Sequence, residues 1–258
     1  MLKMHRLVAA AAVLASASVL QANVVTVRVS VQNLVPTNGV AFAPLRLGFS
    51  NGTFDSFNNG TTATAPIVSV AEGGSGSDWF PAFAAAEPNS VRGTVVPNPA
   101  GPLVPGATGF NDFVVDTAVN PFFTFGSMVV PSNDHFIGND SPTQFRLFTG
   151  GGSTLQLTSI NQKASDIWDA GSELEDPIGA AFLVVGTNAL RTPENGVVHF
   201  EFADIATNFN GFVTGAGYTL NSQLTASTDV YRISFSIVPE PASLSLLGLG
   251  ALAVRRRR

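Results

Sequence analysis

Apolar and polar positions alternate with a period of two along much of the chain. Residues 24–31 read VVTVRVSV, which sets Val25, Val27, Val29 and Val31 on one face and Thr26, Arg28 and Ser30 on the other. That is the pattern of a strand with one buried side. Short runs rich in Val, Ile and Phe predict further strands over 110–115, 122–130, 144–148, 154–160, 180–185, 197–202 and 230–238. Asn-Gly pairs begin at Asn38, Asn51, Asn59, Asn195 and Asn210, and this dipeptide suits the positive φ of tight turns. No long amphipathic helix is predicted. The expected fold is an all-β antiparallel β-sandwich of about eight strands over 23–237, with a signal helix at each end of the chain.

The two ends follow a different pattern. Lys3 and Arg6 precede an uncharged run from Leu7 to Leu20, and small residues follow. A basic start, an apolar stretch too short for a comfortable membrane span and a small-residue cleavage region near Ala17 or Ala22 predict a secretory leader over 1–22. At the other end stand Val238, Pro239, Glu240 and Pro241, then uncharged residues from Ala242 to Val254, then Arg255, Arg256, Arg257 and Arg258. As a helix, 242–254 is about 20 Å long against a hydrocarbon core of about 30 Å, so it holds a membrane weakly as a transient transmembrane anchor. The four arginines resist translocation and keep that end cytoplasmic.

The Pro-Glu-Pro, short apolar helix and arginine cluster over 238–258 resemble the PEP-CTERM sorting signal of exported bacterial proteins. The resemblance implies handling by an exosortase-type processing enzyme and delivery to the cell surface or extracellular matrix.

Composition sharpens this picture through the charge. The whole chain carries a formal charge of −5 and a mean hydropathy of +0.27. Setting aside Lys3, Arg6, Glu240 and the four terminal arginines leaves 7 basic and 17 acidic residues, so the body stands at −10. A body of that sign offers no positive field for nucleic acid. The chain has no cysteine, which excludes disulfides, thiolate metal sites and cysteine nucleophiles. Phe 20 against Trp 2 and Tyr 2 suits a sandwich core, because Phe fills inward positions without a polar atom to satisfy.

Half of the acidic excess lies in one segment. Asp134, Asp140, Asp166, Asp169, Glu173, Glu175 and Asp176 face only Arg146 and Lys163 there. Such carboxylates repel unless they are hydrated or bridged by a cation, and an oxygen-only ligand set selects a hard ion, Ca²⁺ ahead of Mg²⁺. A solvated acidic loop is the plain alternative.

Two stretches in and beside this segment carry a second resemblance. SMVVPSNDHFIGND, from Ser127 to Asp140, and IWDAGSELED, from Ile167 to Asp176, resemble the paired signatures of the spondin amino-terminal domain. There a P-S/T-x-D motif is followed by a W/Y-D-A-G-T-D/E motif. The likeness runs loosely over 24–237. It implies a calcium-binding β-sandwich used in adhesion, with Ca²⁺ held by Asp134, Asp169 and Glu173. Asp140, Asp166, Glu175 and Asp176 are then supporting or field-forming groups, and Trp168 is a packing anchor.

An enzyme is not expected. His199 reads as an exposed strand histidine, and His135, next to Asp134 in an extended chain, would point to the opposite face. There is no G-x-S-x-G or H-E-x-x-H pattern. The expected protein is exported and non-catalytic, stands at the cell surface or in the matrix, and contacts extracellular polysaccharide or cell-surface proteins. A carbohydrate-binding module is the second reading and an extracellular hydrolase the third.

Overall fold

A computed structural model gives the fold and describes residues 23–149 and 152–239. The leader over 1–22 and nearly all of the sorting segment, 240–258, lie outside those residues. Among the described residues no helix is long and apolar enough to cross a membrane.

Two antiparallel sheets form the body. The smaller has β1 (Val24–Asn33) and β12 (Asp229–Val238) at its centre, with β5 (Thr108–Asp116) and β9 (Ser159–Lys163) outside them, in the order β5-β1-β12-β9. The larger runs β11 (His199–Phe200), β10 (Trp168–Asp169), β7 (His135–Gly138), β6 (Phe122–Val130), β3 (Leu45–Ser50) and β4 (Val91–Val95). Two short strands, β2 (Ala41–Phe42) and β8 (Phe145–Arg146), also pair with β6.

The all-β sandwich is as the alternation predicts, but the described residues form twelve strands where about eight were expected. Strands 24–31, 110–115, 122–130 and 230–238 form where predicted, whereas 154–160 overlaps β9 only at Ser159 and Ile160. The run 144–148 shrinks to two residues. Residues 180–185 form no strand: Phe182 takes a φ of 72°, which breaks the extended run, and only single bridges from Ala181 to Ser132 and Leu183 to Thr214 remain. At 197–202, strand stops at Phe200 because Glu201 Oε1 accepts the N–H groups of Phe202 and Ala203 at 2.8 and 2.6 Å and turns the chain into a helix.

The core lies between the sheets. Val27, Val29 and Val31 of β1 and Ile233 and Phe235 of β12 meet Leu45, Leu47 and Phe49 of β3 and Phe123 and Phe125 of β6. Phe123 meets Phe235 edge-on at 4.9 Å, and Phe42 meets Tyr231 at 4.7 Å.

A second apolar layer covers the outer face of the larger sheet. Helices α1 (Ala65–Ala71) and α2 (Trp79–Ala86) bury Ile67, Val70, Trp79 and Phe83 there, with Phe54, Phe57, Phe136 and Trp168. This explains why β6 is buried along almost its whole length and reads FFTFGSMVV instead of alternating cleanly. Thr64 caps α1 through its hydroxyl and Pro66 sits in the first turn, which favours a helix start. A third helix, α3 (Ala203–Phe209), follows β11 and buries Ile205 and Phe209.

Close helix-to-sheet contact needs small residues on β3 and β6. A Cβ on Gly48 would fall 2.1 Å from Phe83 Cε1, and one on Gly126 would fall 3.3 Å from Val70 Cγ1. Phe83 has no room to yield, being fully buried and stacked on Phe54 at 4.2 Å.

Both described ends of the chain leave from one end of the sandwich, since Thr26 pairs with Val238 and Val24 with Asp116. At the other end of β1, Asn33 Nδ2 donates to the carbonyls of Val40 and Leu103. Ala41 and Phe42 there pair with Val130 and Val129. The turn that follows Val130, residues 131–134, therefore lies at the pole away from the chain ends.

Gly48→Ala should destabilise the protein by about 1–3 kcal/mol through overpacking against Phe83. Urea unfolding checks this, and a variant as stable as the parent would contradict the tight contact.

Candidate functional site

At that far pole the two recognisable motifs interlock. Asp134 is fully buried in the β6–β7 turn. Its Oδ2 accepts from Ser172 N at 2.7 Å, Ser172 Oγ at 3.0 Å and Glu173 N at 3.0 Å. Its Oδ1 is buried and accepts nothing. The turn after Asp169 is tight: Asp169 Oδ1 accepts from Gly171 N at 2.5 Å, and Gly171 has a φ of 62°. A side chain at 171 would also fall 2.6 Å from Val197 N, so both backbone angle and space require glycine.

Register across β7, β10 and β11 sorts the neighbouring side chains. Asp169 lies opposite His135 on one side and His199 on the other, while Trp168 lies opposite Phe136 and Phe200. Because successive strand residues point to opposite faces, an aromatic row backs onto an ionisable row. Trp168 is the packing anchor its sequence context predicts: it stacks on Phe200 at 3.6 Å between ring centroids and donates from Nε1 to Gly138 O at 3.2 Å.

The ionisable row gathers four groups able to hold a metal ion. Asp134, His135, Asp169 and Glu175 each place one ligand atom within 4.8 Å of the others. Asp134 and Asp169 are two of the three ligands that the sequence resemblance implies. The third, Glu173, is not in this group: it is buried, its Oε1 accepts from Asn133 Nδ2 at 2.8 Å and its Oε2 has no hydrogen-bond partner. Glu175 stands in the group instead.

His135 departs from its sequence reading. Asp134 and His135 make no hydrogen bond to each other, yet both reach the cluster. Strict alternation fails between them because Asp134 belongs to the turn and β7 begins at His135. The ring of His135 is wholly buried between carboxylates. Nε2 is 3.1 Å from Asp204 Oδ1, a hydrogen bond from the start of α3, and 4.0 Å from Asp169 Oδ2. Nδ1 lies 2.9 Å from Glu175 Oε1 without the alignment of a hydrogen bond, which leaves both atoms without hydrogen-bond partners.

The remaining predicted groups are not among these four. Asp140 accepts from Asn59 N, Asp166 accepts from Lys163 N, and Asp176 accepts from Ile178 N. His199 is exposed, as expected, with Nδ1 2.9 Å from Val197 O.

Burial dominates the electrostatics. It pushes the Asp169 carboxyl up to about 6, helped by the nearby Asp134 charge and opposed by His135. Burial likewise raises Glu173 to about 7, and it raises Glu175 against the pull of His135. For His135, burial favours the neutral ring, but Asp204 and Glu175 together outweigh it and hold the imidazolium well above its ordinary value. Asp204 stays below the usual carboxylate range because its contact with His135 outweighs its own burial.

Among known families, the PEP-CTERM protein-sorting motif matches residues 238–258. No curated protein matches the chain. The motif marks an exported protein that is sorted by an exosortase through a membrane-anchored step. The likeness to the spondin amino-terminal domain rests on the sequence motifs alone.

The ion-free protein should lose stability as pH rises from about 4.5 to 8. Asp169 and Glu173 titrate in the folded chain at about 6 and 7, above their ordinary 3.8 and 4.5. Folding therefore takes up protons, and ionising these groups opposes it. His135 acts in the same direction, since its raised value contributes stability that is complete below 6.5 and lost as the folded imidazolium deprotonates. Thermal melts in chelator across this range check the sign, and a melting temperature that rises with pH would contradict it.

Proposed function

We propose that this is an exported, non-catalytic surface or matrix protein whose sandwich presents a divalent-cation site at the pole away from its chain ends, and that it associates there with extracellular polysaccharide or another cell-surface molecule. The observation that carries this reading is the buried group of Asp134, His135, Asp169 and Glu175, in which Asp134 Oδ1 and Glu175 Oε2 have no partner and Glu175 Oε1 has only its ion-pair contact with His135 Nδ1. Unpartnered buried carboxylate oxygens are costly, and a bound cation is one of the few arrangements that compensates them. The sequence resemblance implies Ca²⁺ as that ion.

Two features favour binding over catalysis. Both nitrogens of His135 face carboxylates, which leaves neither for activating a nucleophile. Ser172, the hydroxyl beside the cluster, makes no hydrogen bond to His135: it donates to Asp134 Oδ2, an oxygen that also takes the backbone N–H groups of Ser172 and Glu173. Export is established by the sorting motif, and the position of β12 means that the segment starting at Val238 leaves from the pole opposite the site.

Adding a divalent ion to the chelator-stripped protein should raise its melting temperature, by the equivalent of about 2.7 kcal/mol at a hundredfold excess over the dissociation constant. Asp169→Ala should abolish the rise. In a pull-down on isolated extracellular polysaccharide or whole cells, retention should fall in chelator and in the same variant. Equal retention in all three conditions would remove the proposed role of the site.

A further inference from the structure

The donor atoms of the site do not match the ion that the resemblance implies. Ca²⁺ takes about six to eight oxygen ligands. Of the carboxylate oxygens in the group, Asp134 Oδ2 is already engaged by Ser172 and Glu173, and Asp169 Oδ1 by Gly171 N. That leaves Asp134 Oδ1, Asp169 Oδ2 and the two oxygens of Glu175, together with an imidazole nitrogen. Asp134 and His135 are fully buried and Asp169 nearly so, so the protein closes off most of the surroundings from which water would make up a calcium shell.

The histidine itself is arranged as a metal-bound histidine would be. Its Nε2 is hydrogen-bonded to Asp204 Oδ1, and its Nδ1 is buried with no hydrogen bond. Metal-ligating histidines commonly donate their other ring N–H to a carboxylate, which fixes the tautomer and the ring plane. Asp204 fills that role from α3, a helix that contributes nothing else to the group. With Nε2–H kept on Asp204, an arriving ion displaces the proton on Nδ1, and the lone pair so freed on the side of Glu175 becomes the nitrogen donor.

We propose that the site takes a first-row transition ion of the class that accepts imidazole, such as Zn²⁺ or Mn²⁺, in preference to Ca²⁺, with His135 Nδ1 as a ligand and Asp204 as its positioning residue. This rests on the cation-site reading above and adds the identity of the ion. Mixed imidazole and carboxylate donors in small number suit these ions, whereas hard Ca²⁺ gains little from nitrogen.

The test uses the full-length, chelator-stripped chain and reads its melting temperature against Zn²⁺, Mn²⁺, Ca²⁺ and Mg²⁺ separately. Zn²⁺ or Mn²⁺ should stabilise at a concentration at least about tenfold below that needed for Ca²⁺. Asp204→Asn should raise the Zn²⁺ or Mn²⁺ requirement about 10- to 100-fold and leave the Ca²⁺ requirement unchanged. His135→Gln should remove the preference.

A second measurement does not depend on a variant folding. Pulsed electron paramagnetic resonance of the Mn²⁺-loaded parent should show ¹⁴N coupling from a directly bound imidazole. Stabilisation by Ca²⁺ at equal or lower concentration, or Mn²⁺ without ¹⁴N coupling, would overturn the choice of ion while leaving the cation site standing. No stabilisation by any of the four ions would overturn both.

Discussion

The carboxylate of Asp134 is the contact on which the far pole depends. It sits fully buried in one turn and takes the backbone N–H groups of Ser172 and Glu173 from another, so two segments nearly forty residues apart are joined through a single oxygen. Charge-assisted bonds to backbone N–H groups are strong in such surroundings. They also consume only half of the carboxylate. The other oxygen, together with Asp169 and Glu175, leaves an excess of buried negative charge that something positive must answer. In the structure that answer is His135, with carboxylates on both ring nitrogens. The imidazolium and a metal ion are thus alternative solutions to one electrostatic problem, and binding of a metal at Nδ1 requires loss of the proton there.

The fold supplies the rigidity that this arrangement needs. β6 is buried on both faces, against β1 and β12 through Phe123 and Phe125 and against α1 through Gly126. β7 and β10 extend the same sheet, and their outer residues Phe136 and Trp168 are held in the second apolar layer by Phe57 and Phe200. Phe136 and Trp168 are the sequence neighbours of His135 and Asp169, which point to the opposite face. Packing of Phe136 and Trp168 therefore fixes where His135 and Asp169 point. The site draws on core packing at one residue's remove for His135 and Asp169, which stand on strands, while Asp134 and Glu175 come from loops.

Legibility in the sequence follows from how local each determinant is. β1, β5, β6 and β12 are long and rich in Val, Ile and Phe, and their pattern could be read directly. β3 and β4 carry Gly48, Gly93, Arg46 and Arg92 within runs of five or six residues: Gly48 makes room for Phe83 of α2 and Gly93 for Phe113 of β5, and the resulting pattern is neither alternating nor continuously apolar. Asp134 and Asp169 were visible through their motifs. Glu175 was visible only as one acid among seven. Asp204 had no local signal at all, since it reaches His135 through the packing of α3. His135 was the case in which a sound local rule misled: alternation holds along a strand and lapses at the residue where a turn becomes one.

Chain direction adds the last element. β1 and β12 are central, antiparallel and ten residues each, about 33 Å when extended. They place residue 24 and Val238 at one pole, and Asp134 lies at the other, in the turn after β6. Val238 and the pole that holds Asp134 are thus separated by the length of the sandwich, and what connects them is the side-chain packing of the smaller sheet on the larger. Exosortase handling at one end and the proposed cation site at the other thus require no shared surface, and the same fold can serve both without either blocking the other.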